Sequence, residues 1–174
     1  MLSKILSSKE CASCRNCCIF HEESRWEAPV ASGEQAEKIK KALHNDQAVS
    51  LSHNRYLLQT VQRDSIPYDG AEPYRCAALD ETSGCRLASD EKPFDCSLWP
   101  LRIMRKNNKL FITIAKGCSS VDDAFIQKVK LLLQEGLQQK ILNEINKNPD
   151  IIKECAPNYI ELAELNITMK PKAE

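Results

Sequence analysis

The sequence predicts a small α+β fold: a cysteine- and metal-organised, loop-rich core with few short strands, packed against helices and carrying a C-terminal helical segment. Three observations predict it. Eight of the nine cysteines fall between residues 11 and 118. A stretch rich in Pro, Gly and Asp interrupts the middle of the chain, and the residues after 120 change to a helical period. These set a cysteine-cluster metal-binding domain over residues 1–120 and a C-terminal helical extension over 121–174, packed on it.

At 174 residues the chain is the size of one domain and can bury a real core. Hydrophobic residues make up 43%, charged residues 28%, and the formal net charge is zero. Lys and Arg are scattered, so neither nucleic acid nor a membrane surface is an expected partner, and a protein partner or protein substrate remains. "MLSKILSSKE" holds no apolar run of signal-peptide length, and no stretch approaches a membrane span of about 20 apolar residues. The expected compartment is therefore the reducing cytoplasm, where clustered cysteines point to metal; a disulfide framework is the alternative.

The elements follow in order. "SGEQAEKIKKALHN" reads as a surface helix, with Ser32 as N-cap, Gln35 three residues on, and Ala36, Ile39, Ala42 and Leu43 on one stripe. "SHNRYLLQTVQRD" fits helix or strand equally. From Ser65 to Pro100, the prolines at 67, 73, 93 and 100 break any long helix, so something other than periodicity must organise this segment. "KLFITIAKGC", reached through the turn-like "KNN", is the best strand. From Val121 to Asn148 the apolar residues Phe125, Val129, Leu132, Leu133, Leu137, Ile141 and Ile145 keep helical spacing. Asp122 or Ser120 caps that helix and Pro149 stops it. A shorter helix is expected from about Asp150 to Asn166.

The chemistry lies in the thiols. Cys11, Cys14, Cys17 and Cys18 form one group; Cys76, Cys85, Cys96 and Cys118 form a second. Sulfurs at C-x2-C spacing converge across a short turn, as in zinc sites and iron–sulfur ligand loops. The C-x2-C-x2-C run matches the opening of the bacterial ferredoxin pattern, but its fourth cysteine follows immediately instead of three residues later. Adjacent Cys17 and Cys18 point to opposite sides of a strand, or about 100° apart on a helix, so they are not expected to chelate one atom side by side. Ligands from both groups are therefore expected around one core. Eight thiols suit two tetrahedral sites, or one four-iron cluster with thiols to spare.

"CASCRNCC", "CAALDETSGC", "KPFDCSLWPL" and a strand ending in "GC" together resemble the CxxCxxCC cysteine-cluster family, described as a zinc- or iron-chelating domain. The likeness covers about residues 8 to 120, with Lys92 where the family's R-P-x-x-C-x-x-x-P segment usually has Arg. The resemblance implies a metal centre held by those eight thiols: an iron–sulfur cluster, of the four-iron type, or zinc. It implies a redox, sensing or protein-modification role, or, with zinc, a structural module for protein–protein interaction. Some longer members resemble flagellin lysine methylases that use S-adenosylmethionine; no Gly-rich nucleotide loop stands in this chain.

Among other candidates, His21 is the histidine nearest a cysteine group, whereas His44 and His53 sit in polar surroundings that suit solvent. Asp122 and Asp123 suit a helix start better than a catalytic pair. Trp26 and Trp99 flank cysteine motifs and read as core or cluster-shielding residues. Cys155 is read as a buried apolar cysteine on a helix and not as a ligand.

Overall fold

The computed structural model describes residues 2, 5, 14–22, 24–52, 55–63, 74–80 and 82–166. In chain order they form β1 (Ile19–Phe20), β2 (Val30–Ala31), α1 (Gly33–Leu43), β3 (Val49–Ser52), β4 (Arg55–Leu58), β5 (Thr60–Gln62), β6 (Tyr74–Cys76), β7 (Leu79–Asp80) and β8 (Gly84–Cys85). Then come α2 (Phe94–Leu98), β9 (Leu101–Lys106), β10 (Lys109–Ala115), α3 (Asp123–Leu132), α4 (Gln138–Lys147), β11 (Ile152–Glu154) and β12 (Tyr159–Leu165). This is a small α+β fold.

α1 starts as its sequence predicts. The Ser32 hydroxyl accepts the Gln35 N–H, and the Gln35 side chain accepts the Ser32 N–H in return. Ala36, Ile39 and Leu43 are buried against Phe20, Ala48, Val49 and Leu58. The segment that fits helix or strand equally becomes β4 and β5. β4 lies between β2 and β3, while β6 lies between β1 and β5. Strand pairing thus organises part of the Pro-rich segment: β7 and β8 close a small hairpin in which Asp80 Oδ1 accepts the Thr82 and Ser83 N–H groups.

The largest sheet has the order β11-β9-β10-β12. Asn107 and Asn108, at φ 50° and 61°, make the two-residue turn that joins β9 and β10. Along β9 the side chains alternate. Leu101 and Ile103 enter the core formed with Phe125, Val129, Leu137 and Ile141 of the helical segment. Met104 joins Ala115, Tyr159 and Trp99 in a separate cluster. Arg102, out of phase with Leu101 and Ile103, therefore shares the Met104 face, so the sheet divides an apolar helical layer from a layer that carries cysteines.

Two expectations change at the C-terminal end. The stretch from 121 to 148 is helical, capped by Asp122 Oδ1 on the Phe125 N–H at 2.7 Å, but it is not one helix. A wide turn at Leu133–Leu137, with Gly136 at φ 111°, separates α3 from α4. The expected helix from 150 to 166 is absent. β11 pairs parallel with β9, and β12 pairs antiparallel with β10. The edges of a two-stranded hairpin need partners, and "YIELAEL" carries an apolar face that satisfies one of them. Pro157 thus sits in a strand connection and interrupts no helix.

A Cβ at Gly136 would meet no atom within 4 Å, so the cost of a side chain there is conformational and not steric. We expect Gly136→Ala to lower stability by roughly 1–3 kcal/mol in denaturant unfolding while leaving thiol reactivity unchanged. A variant as stable as the parent would show that the kink relaxes freely.

Candidate metal centre

Five pieces of chain bring the cysteines together. Arg15, at φ 55°, turns the chain into a single 310 turn over Asn16–Cys18. The Asn16 side-chain amide then donates to the Gly117 carbonyl at 2.7 Å, tying the first cysteine group to the turn that carries Cys118. Cys76 ends β6. Cys85 lies opposite Leu79 in the β7–β8 hairpin. Cys96 sits in α2, which starts at Pro93 and is followed by Trp99 and Pro100 at the head of β9.

Cys17, Cys18, Cys76, Cys85 and Cys96 line one cavity of about 310 Å3. Both sequence groups contribute to it. Cys14 and Cys118 stand beside this wall, each acting electrostatically on Cys17 or on the other. Cys11 and His53 lie outside the described residues. His21 belongs to the chain just after β1 and does not line the cavity. Among the described residues no three Cys, His, Asp or Glu side chains converge tightly enough to hold an ion. The sulfurs surround a space instead of closing on a point.

One expectation about adjacency is corrected. The Cys17 and Cys18 sulfurs lie 3.7 Å apart and face one another. Their turn ends at Cys18 and passes at once into extended Ile19, so the divergence of a straight strand or α-helix does not apply. Two further expectations fail. Trp26 is exposed and does not line the cavity, whereas Trp99 does. Cys155 is exposed rather than buried and follows β11 rather than lying on a helix; its N–H donates to the Arg105 carbonyl.

Burial sets the thiol chemistry. It pushes the Cys76 thiol up to about 12, and raises Cys96 and Cys118 as well. The shared hydrogen bond with Cys18, then burial, raises Cys17. Cys14 is the exception: burial would raise it, but hydrogen bonds from Ser119 and the Asn16 N–H outweigh that and lower it. Thiols held neutral by burial become anionic ligands only against a cation, which a thiolate-binding metal supplies. Soft, all-sulfur donors around a space larger than one ion fit the implied metal centre, as zinc or as an iron–sulfur cluster.

Two site residues were not singled out in the sequence, Asp95 and Arg102. The Asp95 carboxylate accepts the Val30 N–H at 3.2 Å and lies 3.1 Å from Arg102 Nη1. Arg102 Nη2 donates to the Glu27 carbonyl at 2.9 Å, and its guanidinium lies 5.3 Å from the Trp99 ring centre. Burial opposes charge on Arg102, but Asp95, Tyr159, Cys96 and Glu27 together outweigh it and keep the group cationic. Behind them, Lys153 donates to the Ala28 carbonyl at 3.3 Å, and the Tyr159 hydroxyl donates to Glu27 Oε2 at 2.7 Å. The sequence signal was a charge between Leu101 and Ile103, in the apolar first half of a strand that ends in Arg105 and Lys106.

No family model matches the chain, and no curated protein or solved structure matches it.

Asn16→Ala removes the tie to Gly117. We expect a loss of about 1 kcal/mol and faster modification of Cys14 and Cys118 by a thiol reagent; unchanged rates would show that the tie positions neither sulfur. A second expectation concerns pH. Burial holds Lys153 down to about 8. Its folded value lies below its unfolded one, so the unfolded chain binds the extra proton between about pH 8 and 10.5. Over that window its contribution to stability rises with pH, at up to about 1.4 kcal/mol per pH unit. In unfolding curves compared with Lys153→Met, wild type should gain on the variant from pH 8 to 10. A constant difference would contradict this.

Proposed function

We propose that this chain is a metal–thiolate protein of the reducing cytoplasm. Its working part is an iron–sulfur cluster held by cysteines of both sequence groups, with a redox, sensing or protein-modification role toward a protein partner. The observation that carries this reading is the cavity itself: Cys17 and Cys18 meet Cys76, Cys85 and Cys96 around one space of about 310 Å3. Surface cysteines or scattered core cysteines would not gather from segments nearly 80 residues apart. The likeness to the CxxCxxCC family supports the same eight thiols, Cys11 included. Among the described residues no helix is long and apolar enough to cross a membrane.

When bound, such a cluster supplies one-electron chemistry at a potential set by the charge and hydrogen bonds around its sulfurs. The chain's own residues do the rest. The cysteines bind. Trp99 and Leu87 wall the site from water, and Arg102 places positive charge beside anionic sulfur. Cys85, the exposed member of the set, stands at the solvent side, where a partner would approach.

A second reading rests on one distance. Sulfurs on a single tetrahedral zinc ion, with bonds of about 2.3 Å, lie about 3.8 Å apart, and the Cys17–Cys18 separation is 3.7 Å. That geometry favours a structural zinc ion fastening the short strands, with function on a protein-binding surface.

Elemental analysis of protein purified without oxygen separates the two. We expect iron with acid-labile sulfide and a broad absorbance near about 400 nm from sulfur-to-iron charge transfer. Zinc in colourless protein would select the second reading, and protein without either metal, as isolated and after reconstitution, would refute both. Cys96→Ser should lose metal, and Cys155→Ala should keep the parent ratio.

A further inference from the structure

Arg102 is 3% exposed and lines the sulfur-walled cavity. A guanidinium offers five N–H donors in a fixed fork. One of them, on Nη2, goes to the Glu27 carbonyl. Nη1 lies beside Asp95 but off the line of a hydrogen bond, and Nε has no hydrogen-bond partner. The Tyr159 hydroxyl gives its proton to Glu27 and its oxygen can accept from one guanidinium N–H, so it fills at most part of the remaining edge. Buried donors are nearly always satisfied, so an arginine with an unfilled edge on a cavity points to something that fills that edge.

Charge points the same way. Of the buried ionic residues of the described chain, Asp95 and Arg102 line the cavity and Lys153 does not, so Arg102 is the buried cation on its wall. A metal bound by several thiolates is a net anion, and a cation is worth more to it away from water than at the surface. The Arg102 charge acts on the sulfurs of both Cys17 and Cys96, one from each sequence group.

We infer that Arg102 is a positioning residue for the metal–thiolate centre, its free N–H edge donating to ligand sulfur in the cavity and its charge offsetting the anionic ligand set. The inference rests on the metal reading above. It assigns Arg102 a task that the cysteines cannot do for one another, since each added thiolate repels the rest.

The test uses the whole chain with Zn2+ and Co2+ as probes, in chelator competition and in the sulfur-to-cobalt charge-transfer band. Arg102→Met should weaken Zn2+ binding about 10- to 100-fold, as loss of a group that orients metal ligands does, and should shift the cobalt band. Arg102→Lys, which keeps the charge without the fork, should fall between. Lys153→Met removes the other buried cation, which does not line the cavity, and should leave the band in place. Should Arg102→Met be insoluble, Asp95→Asn/Arg102→Met removes the pair together while keeping an acceptor for the Val30 N–H. Equal affinity and an unmoved band in the Arg102 variants would overturn the inference while the metal reading stands. So would equal losses in the Arg102 and Lys153 variants, which would mark a merely structural role. Wild-type protein that takes up neither probe, and no iron on reconstitution with iron and sulfide, would overturn both.

Discussion

Four parts of the chain meet at the ion pair between Asp95 and Arg102, whose side chains are 1% and 4% exposed. Asp95 belongs to α2, next to Cys96. Arg102 belongs to β9. Val30 of β2 donates its N–H to the carboxylate, and the 310 turn at Arg25–Glu27 offers its last carbonyl to the guanidinium. Neither charge can be left alone: removing one partner of a buried pair costs about 3–5 kcal/mol because the survivor stays unsolvated. That constraint fixes α2 against the sheet, and with it the sulfur of Cys96 against the cavity. It also explains why a charge is tolerated in the buried half of β9.

The thiols depend on this frame because they lack one of their own. Their elements are short: two residues in β1, β7 and β8, three in β6, five in α2. Strands of this length bury little and hold few ladder hydrogen bonds, so local opening there is inexpensive. The four-stranded sheet is different. β10 buries Leu110, Ile112 and Ile114 against the helical segment, and its neighbours pair with it on both sides. The molecule therefore has one layer held by apolar burial and one in which ligation of sulfur would supply what secondary structure does not.

What could be read in advance follows the same division. α1 was legible to the residue because Ser32 and Gln35 are local signals, and so was β10, dense in β-branched residues and reached through the turn at the paired asparagines, though its partner β9 was not read. Asp122 and Pro149 bounded the helical segment correctly, but one glycine at its centre carried the kink, and glycine inside a helical period is ambiguous from sequence. β11 and β12 were missed because their partners lie about 50 residues away; a period of 3.6 and a half-buried strand are hard to distinguish in "YIELAEL". In the site, spacing nominated the cysteines, since thiol clusters are rare. Asp95 and Arg102 escaped because a charge becomes informative only once its burial is known.

The direction of the Cys17 and Cys18 sulfurs shows how far spacing alone can carry a metal argument. Regular geometry separates adjacent side chains, and on that ground the two thiols were expected to serve different atoms. A left-handed residue at Arg15 and one 310 turn bring their sulfurs to 3.7 Å instead. Adjacency therefore ceases to argue against a shared ion, and the choice between a single tetrahedral metal and a cluster shifts to the cavity. One zinc ion is far smaller than 310 Å3, and it could not contact Cys17, Cys18, Cys76, Cys85 and Cys96 together without exceeding four ligands. A four-iron cluster would fill more of the space but takes four thiolates and leaves one of the five to spare, whereas two ions could use all five. Arg102 is the buried cation on the wall of that space, where its charge would be set against anionic sulfur.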